Sequence, residues 1–234
     1  MSEPVRTPET TTAAPTFVFV HGLASNSFFW TPVIRELALL GHRSLPVDLP
    51  GHGLDARIPL SYQAPQDLAA FTAAPSPMAG ITVAHVVDVV RTVRRHGPVV
   101  LVGARTRCPG RHSFQLALGR SRSPRGLPAD QHARGHAGTG PGCDQLRHAA
   151  RGGRGAHTQF ADARVHAETW GCVPRSYIRL TRDNVLSPDL VTKMIDDADR
   201  LTPDNRFDVH TLSAGHVGVI LRAREPAAGL DRLA

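Results

Sequence analysis

Apolar residues fall into two patterns along this chain: short continuous runs, and longer stretches in which they recur every three or four positions. Phe17-Val18-Phe19-Val20 and Val99-Val100-Leu101-Val102 are continuous runs, the signature of strands covered on both faces in a parallel sheet. Between them, Thr31 as N-cap and Pro32 at the first helical position predict a helix. Its Val33, Ile34, Leu37 and Leu40 share one face, and Gly41 closes it. Ser44 to Asp48 reads as a further strand, ending in the turn Pro50-Gly51-His52-Gly53. From Thr82 to His96, Val83, Val86, Val87, Val90 and Val93 return at helical spacing, with Gly97 and Pro98 as the stop. Strand, helix, strand, helix, strand at these lengths predicts an α/β sheet.

Residues 169–234 resume the alternation. Tyr177 to Leu180 is strand-like, Asp189 to Arg200 is an acidic amphipathic helix, Phe207 to Leu212 alternates as a strand, and Glu225 to Leu233 is a closing helix. Residues 104–168 do not fit. Only seven of these 65 positions hold Val, Ile, Leu, Met, Phe, Trp or Tyr, and neither a 2- nor a 3.6-residue period is present. Such a segment cannot supply a normal share of core, so it reads as irregular.

Charge sharpens the boundary. The formal net charge is +7. The block carries eleven Arg against Asp130, Asp144, Asp162 and Glu168, and the rest of the chain balances to zero, so the whole basic excess sits in the block. Length then limits the organisation: 234 residues suit one large α/β domain, placed at 17–234 behind a flexible tail over 1–16. That tail lacks a basic start and an apolar stretch, so no secretory leader is expected. No apolar run approaches the roughly 18 residues of a membrane span, and the expectation is a soluble, cytoplasmic protein. Cys108, Cys143 and Cys172 form no C-x-x-C pair, which argues against a disulfide framework and the commoner zinc modules.

Two segments carry the chemistry. Phe17-Val18-Phe19-Val20-His21-Gly22, followed by a helix and then Val47-Asp48-Leu49-Pro50-Gly51-His52-Gly53, resembles the α/β-hydrolase superfamily, nearest its small esterase and hydroxynitrile-lyase-like branch. Tyr177 to Asp183 resembles the strand and loop that bear that family's acid, and Leu212-Ser213-Ala214-Gly215-His216 the loop that bears its histidine. The resemblance implies a mostly parallel sheet flanked by helices and hydrolysis of a small carboxylic ester without a cofactor or metal. It also implies a triad in the chain order Ser, Asp, His, with Asp183 holding His216 and with Asp189 and Asp208 as rivals to Asp183. The backbone N–H groups of Leu23 and Thr106 would face the oxyanion. Asp48 reads as a structural carboxylate.

The nucleophile is where the resemblance breaks. The family's serine lies in G-x-S-x-G directly after the strand Val99 to Val102. Here that strand runs into Gly103-Ala104-Arg105-Thr106-Arg107, with Arg105 at the serine position and Arg107 at the second glycine. A guanidinium is no acyl-transfer nucleophile, and a Cβ at that glycine crowds a turn this tight. Thr106, Cys108 and Ser113 are out of register for the role.

Three readings of the basic block compete. Arg151-Gly152-Gly153-Arg154-Gly155 would attract phosphate by counterion release, but apart from Phe114 and Phe160 no aromatic residues interleave the arginines, so nucleic-acid binding is the weaker reading. His132, His136, Cys143 and His148 lack the apolar neighbours that would orient metal ligands. Gly135 to Gly142 follows no strand and is no phosphate loop. A shifted reading frame in a gene rich in G and C accounts for more, since such frames yield Arg, Gly, Pro, Ala and His. Codons for Arg105-Thr106-Arg107-Cys108 read two bases later permit His-Ser-Leu, the tripeptide often found at this family's elbow. The shift also explains the abrupt change at Ala104 and the recovery near Trp170.

Overall fold

The computed structural model describes residues 14–22, 25–93, 97–104 and 167–234. Strand β1 (Thr16–Val20) is the centre of a three-stranded parallel sheet, between β2 (Ser44–Val47) and β3 (Val99–Gly103). Val18 stands opposite Leu45 on one side and Leu101 on the other. The continuous apolar run is needed because both faces are covered. Phe17 and Phe19 pack with Trp30, Val33, Leu37, Val100 and Val102, while Val18 packs on the opposite face with Val47 and Val93. Each such side chain contributes about 1.5–3 kcal/mol on burial.

Helix α1 (Thr31–Leu39) starts differently from the sequence expectation. Thr31 does not cap it. A 3-10 turn, Ser27–Trp30, leads straight into the helix, and the Thr31 N–H already donates to the Phe28 carbonyl. The cap is displaced to Asn26, whose side chain accepts from the Phe28 N–H at 3.0 Å. Gly41, at φ +86°, closes α1 as expected. Strand β2 is an edge strand among the described residues. Phe17 N–H donates to the Arg43 carbonyl at 2.9 Å, so by alternation Pro46 turns its missing N–H away from β1, where a proline is tolerated and discourages further pairing.

Two 3-10 turns, Gly53–Asp55 and Leu60–Tyr62, and helix α2 (Leu68–Ala73) follow, in a stretch where the sequence pattern gives no element. Helix α3 spans Val83–Val93. After β3, the Ala104 N–H donates to the Val20 carbonyl at 2.8 Å, continuing the ladder. Ala167–Trp170 forms the short helix α4. Of the block expected to be irregular over 104–168, Ala104 lies outside β3 with its N–H still bonded to β1, while Ala167 and Glu168 belong to the helix α4. Residues 105–166 lie outside the described residues.

The C-terminal part contains a second parallel pair, β4 (Ser176–Leu180) and β5 (Asp208–Leu212), connected by α5 (Pro188–Leu201). Ser187 caps α5, and Tyr177, Leu186, Val191, Ile195 and Phe207 form its core. Helices α6 (Gly218–Leu221) and α7 (Arg224–Asp231) return to the first sheet, where Val219, Ala227 and Leu230 join the Phe17 and Phe19 core. Among the described residues no helix is long and apolar enough to cross a membrane.

One buried charge stands apart. Arg175 is 4% exposed, and its guanidinium lies over Trp170 at 3.9 Å and Phe207 at 4.9 Å. One terminal nitrogen donates to Thr202 Oγ1, whereas Nε and Nη1 have no acceptor among the described residues. Burial pushes its pKa down, opposed by the charge of Asp199. A buried cation with unmet donors costs more than it returns, and the Thr202 hydroxyl keeps the Ala198 carbonyl as acceptor. Arg175→Met is therefore expected to leave stability unchanged or raise it by about 1 kcal/mol in urea unfolding. A loss of that size would show that the ring stacking dominates.

Candidate active site

Both halves of the site grow from strand ends. At the end of β1, His21 is 1% exposed; its Nδ1–H donates to the Gly22 carbonyl at 2.8 Å, and its Nε2 accepts the Leu49 N–H at 3.0 Å. It thereby ties the exit of β1 to the exit of β2. Burial lowers its pKa, aided by the charge of neighbouring His52, and the Leu49 hydrogen bond requires an unprotonated Nε2. Asp48, the residue after β2, accepts the Ser27 N–H through Oδ1 at 2.7 Å. Burial pushes the Asp48 carboxyl up, but the Ser27 hydrogen bonds, the charge of His21 and the Leu54 N–H together hold it below its ordinary value. The expectation of a structural carboxylate at Asp48 agrees with this geometry. The signal for its partner was present too: Asn26-Ser27 ahead of an aromatic run is an N-terminal helix signature.

At the end of β4, Asp183 Oδ1 accepts the N–H groups of Val185 at 2.8 Å and Leu186 at 2.9 Å. Its Oδ2 accepts Nδ1–H of His216 at 2.9 Å. The side chains are 6% and 35% exposed respectively, so the acid is enclosed and the imidazole reaches the surface. Burial pushes the Asp183 carboxyl up; the His216 hydrogen bond and the two backbone donors outweigh it, and the group stays ionised below the usual range. With Nδ1 donating, the neutral ring keeps its lone pair on Nε2. The rivals are occupied elsewhere: Asp208 Oδ2 meets His210 Nε2 at 3.1 Å, and Asp189 lies in the first turn of α5.

Val219, three residues beyond His216, shares a core with Val102 near the end of β3, and Ala104 packs against that core. The Val20 carbonyl receives both the Ala104 N–H at 2.8 Å and Trp30 Nε1–H at 3.1 Å. Gly103 and Ala104 thus lie at the C-terminal edge of the central sheet, the edge at which ligands bind in open α/β folds. Leu23, Arg105 and Thr106 themselves lie outside the described residues. Among the described residues no group of three His, Cys, Asp or Glu side chains is placed to hold a metal.

Acid stability follows from the three shifted groups. His21 has a folded pKa below 6.5, and Asp48 and Asp183 have folded values below 3.8. For each, the native contribution is complete above the unfolded value and is lost as pH falls through the folded one. Urea midpoints are expected to fall in two stages, the first beginning as pH drops below 6.5 and the second below 3.8. In His21→Asn the first stage should vanish; its persistence would exclude His21 as the cause.

The parallel strands flanked by helices have the α/β-hydrolase fold. The chain matches no protein-family model and no curated protein. Among solved structures it is similar to a serine-to-alanine variant of a pyrethroid hydrolase, at 15% identity and a TM-score of 0.54, covering 93% of this chain and 96% of that one. A histidine-to-alanine variant of the pyrethroid hydrolase matches at 15% identity and a TM-score of 0.51 over the same shares. A polyneuridine aldehyde esterase aligns at 15% identity and a TM-score of 0.49, over 94% of this chain and 99% of that one.

Proposed function

We propose that this chain carries the acid and base of a carboxylic ester hydrolase and is impaired because Arg105 stands at the serine position. The observation that carries the reading is the 2.9 Å bond from His216 Nδ1 to an Asp183 carboxylate fixed by two backbone N–H groups. That arrangement orients an imidazole and stabilises it as it accepts a proton from a nucleophile. A small-molecule ester is the substrate class, supported by the likeness of the fold to a pyrethroid hydrolase. In the purified protein, short activated esters should be turned over no faster than background. Turnover that disappears in His216→Ala would show that another residue has taken the nucleophile's place, and would overturn the impairment.

A further inference from the structure

Parallel strands β4 and β5 deliver the loops of Asp183 and His216 side by side, and the ladder runs on past the strand ends. Thr181 N–H donates to the Leu212 carbonyl at 3.0 Å and Arg182 N–H to the Ala214 carbonyl at 3.1 Å. Beyond that point no backbone bond among the described residues joins the His216 loop to the acid loop. A side-chain clamp does so. Arg182, next to the acid, directs Nε and Nη2 to the Ser213 hydroxyl at 3.1 and 2.9 Å, and Ser213 lies three residues before His216. On its other side Arg222 Nη1 donates to the Ser213 carbonyl at 2.8 Å, while Arg222 Nε is paired with Glu225 at 2.6 Å. Ser213 is therefore gripped through its hydroxyl from the acid loop and through its carbonyl from the α6–α7 turn.

We infer that Arg182 is a positioning residue that sets the Asp183–His216 contact through Ser213. The inference rests on reading that pair as the acid and base of the site. Arg182 reaches the hydroxyl with two donors from one planar group, a geometry that a lysine ammonium does not reproduce. Both side chains are exposed, so the clamp contributes little to global stability. Its effect lies in the fraction of time during which the two loops hold the 2.9 Å bond.

The test is the exchange of the His216 Nδ1 proton with water, followed by NMR in the full chain, which needs no turnover. In Ser213→Ala and in Arg182→Lys, exchange should be about two- to fivefold faster than in the parent, the range expected for losing one exposed polar contact. The double variant should match either single variant, because both changes remove one interaction. Equal exchange in parent and single variants, or additive effects in the double variant, would overturn the clamp. If Arg182→Lys disturbs the amide spectrum beyond the two loops, Ser213→Ala, which deletes a single oxygen, decides the matter. A parent with no protected Nδ1 proton would overturn the acid–base pair itself and the clamp with it; a protected parent proton with unaltered variants overturns the clamp alone.

Discussion

Restoring the reading frame between Gly103 and about Glu168 is expected to yield an active esterase, whereas Arg105→Ser in the chain as it stands is expected to remain inactive. The expected gap between the restored protein and the chain with Arg105 is on the order of 10⁶ in kcat, the cost of losing a triad nucleophile in a well-studied serine protease. The reasoning rests on what lies either side of position 105. His21-Gly22 at the end of β1, the strand Val99–Gly103, Asp183 and His216 follow in the order the mechanism requires. A single serine does not complete the set, since Arg107 still fills the place the motif reserves for glycine. Both proteins would be assayed on the same short ester, with Asp183→Asn and His216→Ala made in the active one. A restored frame without serine after β3, or a folded product without esterase or related lyase activity, would sink the hydrolase reading.

The second large effect concerns stability. Gly53→Ala is expected to cost about 3 kcal/mol, the sum of a left-handed backbone penalty of about 1–2 kcal/mol and a weakened charged hydrogen bond worth about 1.5–3 kcal/mol. Gly53 sits at φ +60°, and a Cβ there would collide with the Asp48 carboxylate. That carboxylate cannot swing aside without releasing the Ser27 N–H at 2.7 Å. Gly41 supplies the control: at φ +86° it has no atom within 4 Å of an added Cβ, so Gly41→Ala carries the backbone penalty alone. Thermal unfolding should separate the two, with Gly53→Ala lower by several degrees, at about 2–4 °C per kcal/mol for a chain of this size. Equal midpoints would mean that Asp48 relaxes freely and does not clamp the turn.

The sequence by itself determined the strands, because a strand covered on both faces must be apolar at every position, and Phe17 to Val20 and Val99 to Val102 are. The resemblance to the hydrolase segments singled out Asp183, with Asp189 and Asp208 as rivals, and His216, and the side chains of Asp183 and His216 lie within hydrogen-bond distance. Local rules failed where the deciding partner is distant in the chain. Thr31 has the composition of a cap, yet the 3-10 turn ahead of it had already supplied its acceptor. Residues 54–81 show no period because their turns and short helix bury little of themselves, and Leu54, Leu60 and Leu68 stay exposed. Arg182 and Ser213 lie inside the two segments that resemble the family, but they stand 31 residues apart and no local pattern pairs them. The choice of Asp183 over Asp208 and Asp189 was likewise tertiary. All three are acids near strand or helix ends, and only the parallel pairing of β4 with β5 puts one carboxylate opposite His216 while His210 claims another. Sequence pattern fixes which faces must be buried; which polar groups then meet depends on how separate elements are brought side by side.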